Sequence, residues 1–365
     1  MYKREETKKV KIGRISIGHS NKVIIQSMCN TKTFDVNKTV KQIKELEDAG
    51  CELVRVSIPD EKSALAIENI KNKISIPLVA DIHFDYKLAL MAADRGIDKI
   101  RINPGNIGDE TNIKKVADIC NKKNIPIRIG VNSGSLSKKI LAKYDGEVTA
   151  RGLFESAREN VNLLEKYDFR NIVVSIKSSN VLMAIDAYKL FAKKYDYPLH
   201  IGITEAGTIK SGNIKSSIGL GILLYEGLGD TMRVSLTSNP VDEIYTTKKV
   251  LESLNLRKGG IDIVSCPTCA RTNIDIVQIA SFVEDKLNSQ KYENLLKKSK
   301  RDKYKVAIMG CAVNGPGEAR EADIGIAGGV GEAVLFKKGV IVKKIKESSI
   351  INILLKEIEK DLNEK

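Results

Sequence analysis

The chain's first two thirds repeat one pattern eight times: a short β-branched run, then an amphipathic helical stretch. The runs are KVIIQSM (22–28), ELVRVSI (52–58), IPLVADIHF (76–84), DKIRINPG (98–105), IPIRIGVN (125–132), NIVVSIKSS (171–179), LHIGITEAG (199–207) and DTMRVSL (230–236). Helical segments such as VNKTVKQIKELEDAG and YKLALMAADRG separate them, several closed by glycine. Strands joined through helices must pair in parallel. Eight such units predict a (β/α)₈ TIM barrel. A doubly wound open sheet is the alternative, but no G-x-G-x-x-G follows the first run.

Before the first run, VKIGRISIGHS reads as a hairpin that plugs the barrel floor. After the last, the helix PVDEIYTTKKVLESLNL leads to RKGG at 257–260, where the pattern breaks. The expected division is therefore a barrel over 1–256 and a small α/β domain over 257–365. In the second part IDIVSC and KVAIMGC are strands ending in cysteine. IGIAGG and AVLFKKGVIVKKI are further strands, and NIDIVQIASFVEDKL and INILLKEIEKDLNEK are helices.

A transmembrane helix needs roughly eighteen or more apolar residues in a row, and none occurs. The charged start, MYKREETKKVKIGRISIG, does not read as a secretory signal, so a cytoplasmic location and no membrane contact are expected. Six cysteines in such a chain suggest reduced thiols available to a metal rather than a disulfide framework. The net charge of +14 suits nucleic acid, an anionic metabolite or an acidic protein. Much of it lies in stretches such as NLLKKSKRDKYK, read as a solvated helix face. With no Trp and seven Phe, a stacking platform for single-stranded nucleic acid is not expected.

Active sites of such barrels sit at the C-terminal strand ends. Those ends carry Arg55 and Ser57, Asp81 and His83, Arg101 and Asn103, Arg128 and Asn132, Lys177, Glu205, and Arg233 with Ser235. Five cations at one mouth repel one another unless a polyanion joins them, and arginine suits phosphate oxygens. Ion pairing inside the barrel would serve any single arginine. It fails for all five cations if Asp81 and Glu205 are the nearby carboxylates. A phosphate or diphosphate is the expected ligand, with Glu205 or His83 as candidate acid or base.

Cys266 and Cys269 form a C-x-x-C pair, and Cys311 follows at another strand end, in GCAVNGPGE. Convergence on one centre is expected, either zinc or an iron–sulfur cluster; spacing leaves both open. Cys51 and Cys120 read as small buried hydrophobes, and Cys29 lies near the mouth. Pro316 and its glycines turn the chain so that Glu318 can come back towards Cys311.

SCPTCAR, GCAVNGPGEA, ADIHFD, KIRINPGNIG, RIGVNSGSL, SIKSS, GITEAG and RVSL together resemble the 4-hydroxy-3-methylbut-2-enyl diphosphate synthase family, from about residue 10 to 335. Their order and spacing are those of the compact two-domain bacterial form. The resemblance implies a [4Fe–4S] cluster on Cys266, Cys269 and Cys311 with Glu318 as fourth ligand. It implies two-electron reductive opening of 2-C-methyl-D-erythritol 2,4-cyclodiphosphate with loss of water. Arg55, Arg101, Arg128, Lys177 and Ser235 would hold the diphosphate, helped by Asn132 and His83. Glu318 would yield its iron to the substrate, and Glu205 would donate the proton. The family also implies a homodimer in which one chain's cluster domain caps the other's barrel, and an acidic ferredoxin or flavodoxin as electron donor. One departure stands out: the family's QSMTNT is QSMCNT here, with Cys29 in the threonine position.

Two other readings compete. A zinc-stabilised nucleic-acid binder explains the charge and three cysteines, but not the ordered Arg, Lys and Glu at successive strand ends. A barrel isomerase or aldolase with Lys177 as Schiff base leaves the cysteines without a role.

Overall fold

The computed structural model describes residues 4–311 and 320–364. The chain divides into two compact units, Met1–Leu256 and Arg257–Lys365.

The first unit opens with an antiparallel hairpin of β1 (Val10–Ile12) and β2 (Ile15–Ile17). There follow β3 (Ile24–Met28), β4 (Leu53–Ser57), β5 (Leu78–Asp81), β6 (Lys99–Ile102), β7 (Ile127–Asn132), β8 (Ile172–Lys177), β9 (His200–Ile201) and β10 (Thr231–Met232). These strands form one parallel sheet in the order β8-β7-β6-β5-β4-β3-β10-β9. A parallel bridge between Val174 and Leu199 joins its two ends and closes the barrel. The last two runs were expected to be longer strands. Only two residues of each pair formally, because the chain beyond them opens into loops and Glu205 takes a left-handed φ of 52°.

Local chemistry starts the helices where the strands end. Asp35, Asp60, Asp85 and Asp109 each accept a hydrogen bond from a backbone N–H two or three residues ahead, at 2.8–3.1 Å. Each helix then buries one stripe against the outside of the barrel. The helix Val36–Asp48, for example, buries Thr39, Val40, Ile43 and Leu46.

The hairpin closes the floor. Val10, Ile12 and Ile17 pack with the inward-facing Ile24, Leu53, Val79 and Val173 in one apolar cluster. Asp230 fixes this end. It is fully buried, accepts from Thr7 Oγ1 (2.9 Å) and from the Leu199 N–H (2.7 Å), and so ties the N-terminal segment to β9.

The second unit has a five-stranded sheet, in order β11 (Gly260–Ser265), β12 (Lys303–Met309), β13 (Ile324–Gly328), β14 (Glu332–Lys337) and β15 (Val340–Lys346). The first three are parallel and the rest antiparallel. The helices Ile276–Leu287, Gln290–Ser299 and Ile350–Asn363 share its main core. The lysine-rich stretch falls partly on the second of these helices, which buries Tyr292 and Leu296 and exposes Lys297 and Lys298. Among the described residues no helix is long and apolar enough to cross a membrane.

Burial pushes Asp230 up to about 6, against the Leu199, Thr7 and Arg4 contacts that lower it. A carboxyl whose folded value exceeds its unfolded one favours folding while protonated, and that advantage fades as pH rises from about 4 to about 6. We expect Asp230→Asn to remove this slope, worth up to about 3 kcal/mol over the window. Denaturant unfolding of wild type and variant at steps between pH 4 and 7 reads the difference.

Candidate active site

At the C-terminal strand ends of the barrel lies a cavity of about 120 Å³ with no apolar residue in its wall. Alternation along a strand sends every second residue inwards. It thus delivers Arg55 from β4, Asp81 from β5, Arg101 from β6, Arg128 and Asn132 from β7, and Ser175 and Lys177 from β8. His83, Thr204, Arg233 and Ser235 come from the segments just beyond β5, β9 and β10.

Two glycines make room for the long cations. A Cβ at Gly130 would collide with Arg101 Nε, and one at Gly202 would meet Lys177 Nζ at 2.8 Å. A residue with a side chain at either place would displace a cation from the cavity wall.

The charges are only partly paired. Asp81 serves two arginines, Arg101 Nη1 at 3.0 Å and Arg55 Nε at 3.6 Å. Burial alone would raise its carboxyl, but Arg55, Arg101 and Arg128 hold it at about 2. Arg101 Nη1 also donates to His83 Nε2 (3.0 Å); since a guanidinium can only donate, the His83 ring proton sits on Nδ1. Arg233 forms a bidentate pair with Glu243, both contacts at 3.0 Å. Met28 Sδ accepts from Arg55 at 2.8 and 3.1 Å and from Arg233 at 3.5 Å.

Arg128 and Lys177 have no carboxylate partner among the described residues. Arg128 Nε and Nη1 are buried without an acceptor. Burial, then the neighbouring guanidinium groups, pushes Lys177 well below the usual lysine range. The same causes act on Arg128 and bring Arg55 to about 10. A site stressed in this way is built for an anion with several oxygens.

The sequence reading needs four corrections. Of the two carboxylates expected, Asp81 lies in the wall, but the second is Glu243 and not Glu205; Glu243 stands on the helix Pro240–Ser253 and neutralises Arg233. Glu205 is exposed and stands one residue beyond Thr204, outside the cavity wall, out of phase with the inward-facing residues of its strand. Asn103 is buried outside the cavity wall and donates to Ser135 Oγ (3.5 Å), which in turn accepts from the Asn132 N–H (3.3 Å) and donates to the Asn132 carbonyl (3.1 Å). It thus braces the loop that carries Asn132. Ser57 and Cys29 line a neighbouring cavity of about 470 Å³ instead. Burial pushes Cys29, Cys51 and Cys120 up to about 12, so all three are buried thiols. Ser175 and Thr204 escaped the reading although alternation from Lys177 and Gly202 points to them. Glu243 had no such signal, being an ordinary acidic residue in a helix's first turn.

In the second unit Cys266 and Cys311 follow the adjacent parallel strands β11 and β12. Cys266 Sγ accepts from the Gly310 N–H at 3.2 Å. Cys269 is exposed, and the Arg271 backbone N–H, with Thr272 and Arg271, holds its thiol below the ordinary value. Hydrogen bonds that stabilise sulfur in its anionic form suit metal ligation. Full convergence of the three was expected. Among the described residues no three His, Cys, Asp or Glu side chains come together as a metal site. Here the turn bonds between Cys269 and Thr272, at 3.0 and 3.1 Å, hold Cys269 facing outwards. Glu318 lies outside the described residues.

Comparison with known proteins agrees along almost the whole chain. A family described as GcpE TIM-barrel domain matches residues 7–248, and one described as GcpE protein C-terminal domain matches 262–360. Relatives named 4-hydroxy-3-methylbut-2-en-1-yl diphosphate synthase (flavodoxin) include that of Caldanaerobacter subterraneus subsp. tengcongensis, 56% identical over 99% of both chains. Those of Fusobacterium nucleatum (55%, 98% of both chains) and Clostridium perfringens (56%, 98% of this chain and 99% of that one) are similarly near. Among solved structures, Yersinia pestis dihydropteroate synthase covers 68% of this chain and 98% of its own at 12% identity, with a TM-score of 0.48, a likeness too faint to bear on function. Matched over both its units and by relatives more than half identical, this chain belongs to the GcpE family.

Proposed function

We propose that this chain reduces 2-C-methyl-D-erythritol 2,4-cyclodiphosphate to 4-hydroxy-3-methylbut-2-enyl diphosphate, in the non-mevalonate route to isoprenoids. Two electrons enter, the ring C–O bond to phosphate breaks, a C=C bond forms, and a hydroxyl leaves with a proton as water. The observation that carries this reading is the wholly polar well with Arg128 and Lys177 unpaired. A cyclic diphosphate, with its charge spread over two phosphorus atoms, would satisfy these cations together. The relatives' names supply the same substrate class.

In this reading Arg55, Arg101, Arg128 and Lys177 bind the diphosphate, with Arg233, Asn132 and Ser235 completing the shell. Asp81 holds two of the arginines in place, and His83 is oriented by Arg101. Glu205, at the open rim, gives the proton to the leaving hydroxyl. Cys266, Cys269 and Cys311 would hold a [4Fe–4S] cluster, with Glu318 as fourth ligand. Their fit rests on the donor set: one thiol already accepts a backbone N–H and another is held towards the thiolate. When bound, the cluster supplies single-electron transfer and Lewis acidity, which zinc does not combine.

The donor in this reading is a flavodoxin, as in the relatives' names, with ferredoxin as the alternative. Its acidic surface would meet a chain of net charge +14. The protein works in the cytoplasm as a homodimer, one chain's cluster domain completing the other's barrel. In support, the helix Ile209–Tyr225 exposes Ile214, Ile218, Ile222 and Tyr225 along one side, an apolar stripe suited to a second copy.

Anaerobic purification followed by iron and sulfide analysis and low-temperature electron paramagnetic resonance tests the reading. A cluster signal that changes when the cyclic diphosphate is added is expected; a colourless zinc protein would end it. Steady-state kinetics should separate two roles. Arg128→Met should weaken substrate binding by on the order of 10- to 100-fold. Glu205→Gln should instead lower kcat with little effect on KM. Light scattering should show Ile218→Glu shifted from dimer to monomer, with activity lost alongside.

A further inference from the structure

Beneath the cavity the barrel interior holds polar groups that the proposed reaction does not use. Lys99 pairs in register with Val79 of the apolar floor and lies two residues before Arg101, so alternation turns it into the same interior, one step deeper. It is 0% exposed, and Nζ has no acceptor among the described residues. The charged groups whose fields act on it are Arg128 on β7 and Arg55 on β4. His200 on β9, also fully buried, donates to or accepts from Thr231 Oγ1 at 2.8 Å and leaves Nε2 unpartnered; both amide atoms of Gln26 on β3 are unpartnered too. Asp81 is occupied by Arg55 and Arg101, and Glu243 by Arg233.

With every basic side chain protonated, Arg55, Lys99, Arg101, Arg128, Lys177 and Arg233 would face the carboxylates of Asp81 and Glu243. A guanidinium does not release its proton in a protein, whereas a buried ammonium does. Lys177 borders the cavity, where it can meet a ligand oxygen directly, whereas Lys99 Nζ is sealed behind the wall with no acceptor among the described residues, which singles Lys99 out as the group to relieve the excess charge. We propose that Lys99 is a neutral amine in the ligand-free barrel and becomes an ammonium when a diphosphate enters the cavity above it. Substrate binding then takes up a proton from solvent, which bonds to the Lys99 Nζ lone pair. Burial and the two arginines push Lys99 well below its ordinary range, consistent with the neutral form. The ligand's two negative charges offset Arg55 and Arg128 and remove much of that pressure. Lys99 touches no ligand atom; it is a positioning residue that adjusts the field behind Arg128.

This inference rests on the cyclic diphosphate being the ligand. Its phosphorus atoms each carry one strongly acidic oxygen, so the ligand neither gains nor loses protons near neutral pH. The test is calorimetric titration of the cluster-loaded enzyme, without electron donor, with 2-C-methyl-D-erythritol 2,4-cyclodiphosphate in Pipes, Hepes and Tris at one pH. The slope of apparent heat against buffer ionisation heat counts protons. Wild type should take up close to one proton per site, and Lys99→Met, an apolar chain of similar length, less than half of that. Binding with no proton uptake in wild type overturns the proposal without needing the variant. Undiminished uptake in Lys99→Met also overturns it and assigns the proton to Lys177 or His200. Absence of any binding overturns the substrate assignment and this inference together, and so is distinct from the other outcomes.

Discussion

Positive charges inside this barrel outnumber the negative ones, and they cannot escape to water. At an effective dielectric of about 20, two unit charges 4 Å apart interact by about 4 kcal/mol. That is a large share of the 5–15 kcal/mol by which an ordinary domain is stable. The arginines and lysines stay together because the surroundings leave them no alternative. Outward-facing Ile and Val from every strand lock into the helices, and the hairpin seals the floor with Val10, Ile12 and Ile17. An ordinary barrel fills its interior with branched apolar layers. Here the apolar layer is confined to the bottom, and the tiers above it are polar.

The partial neutralisation is arranged with care for geometry. Asp81 takes Arg55 and Arg101, which leaves Arg128 between them and Lys177 without a counterion. Glu243 takes Arg233 from outside the strands, and its Oε1 also accepts the Leu236 N–H at 3.1 Å. That contact fixes the segment carrying Ser235. Each carboxylate therefore positions cations as well as offsetting them, and the cations left over are the neighbours Arg128 and Lys177 on β7 and β8. A polyanion that enters meets N–H groups already oriented by the protein, so little reorganisation of the site opposes binding.

Much of this was legible in the sequence because it follows from periodicity. The strand runs, the floor hairpin and the inward Arg55, Arg101, Arg128 and Lys177 all obey the two-residue alternation of a strand. Features that break periodicity stayed hidden. Glu243 reaches the well from a helix, where an acidic residue in the first turn is expected for the helix dipole alone. Glu205 sits at a strand end, but counting from the inward Gly202 and Thr204 leaves it out of phase with the cavity, and it stands exposed at the rim. Asn103 follows the alternation and still misses the cavity, because the short helical turn Pro104–Asn106 begins immediately after it. Lys99 obeys the alternation too. It drew no attention because a lysine between Asp98 and Ile100 resembles one at a solvated strand start.

The same electrostatics argues for keeping Cys266, Cys269 and Cys311 on a separate unit. Thiolates placed beside unpaired arginines would be held in the anionic form and would pair with them. The well would then be neutralised by its own protein, and its affinity for a diphosphate would fall. In the second unit backbone donors lead: the Gly310 N–H for Cys266, and for Cys269 first the Arg271 backbone N–H, with the Thr272 and Arg271 side chains behind it. Backbone N–H groups can support an anionic sulfur without supplying a mobile cation to be captured. A chain that carries both unpaired buried cations and thiols held towards the anionic form therefore gains from two cores.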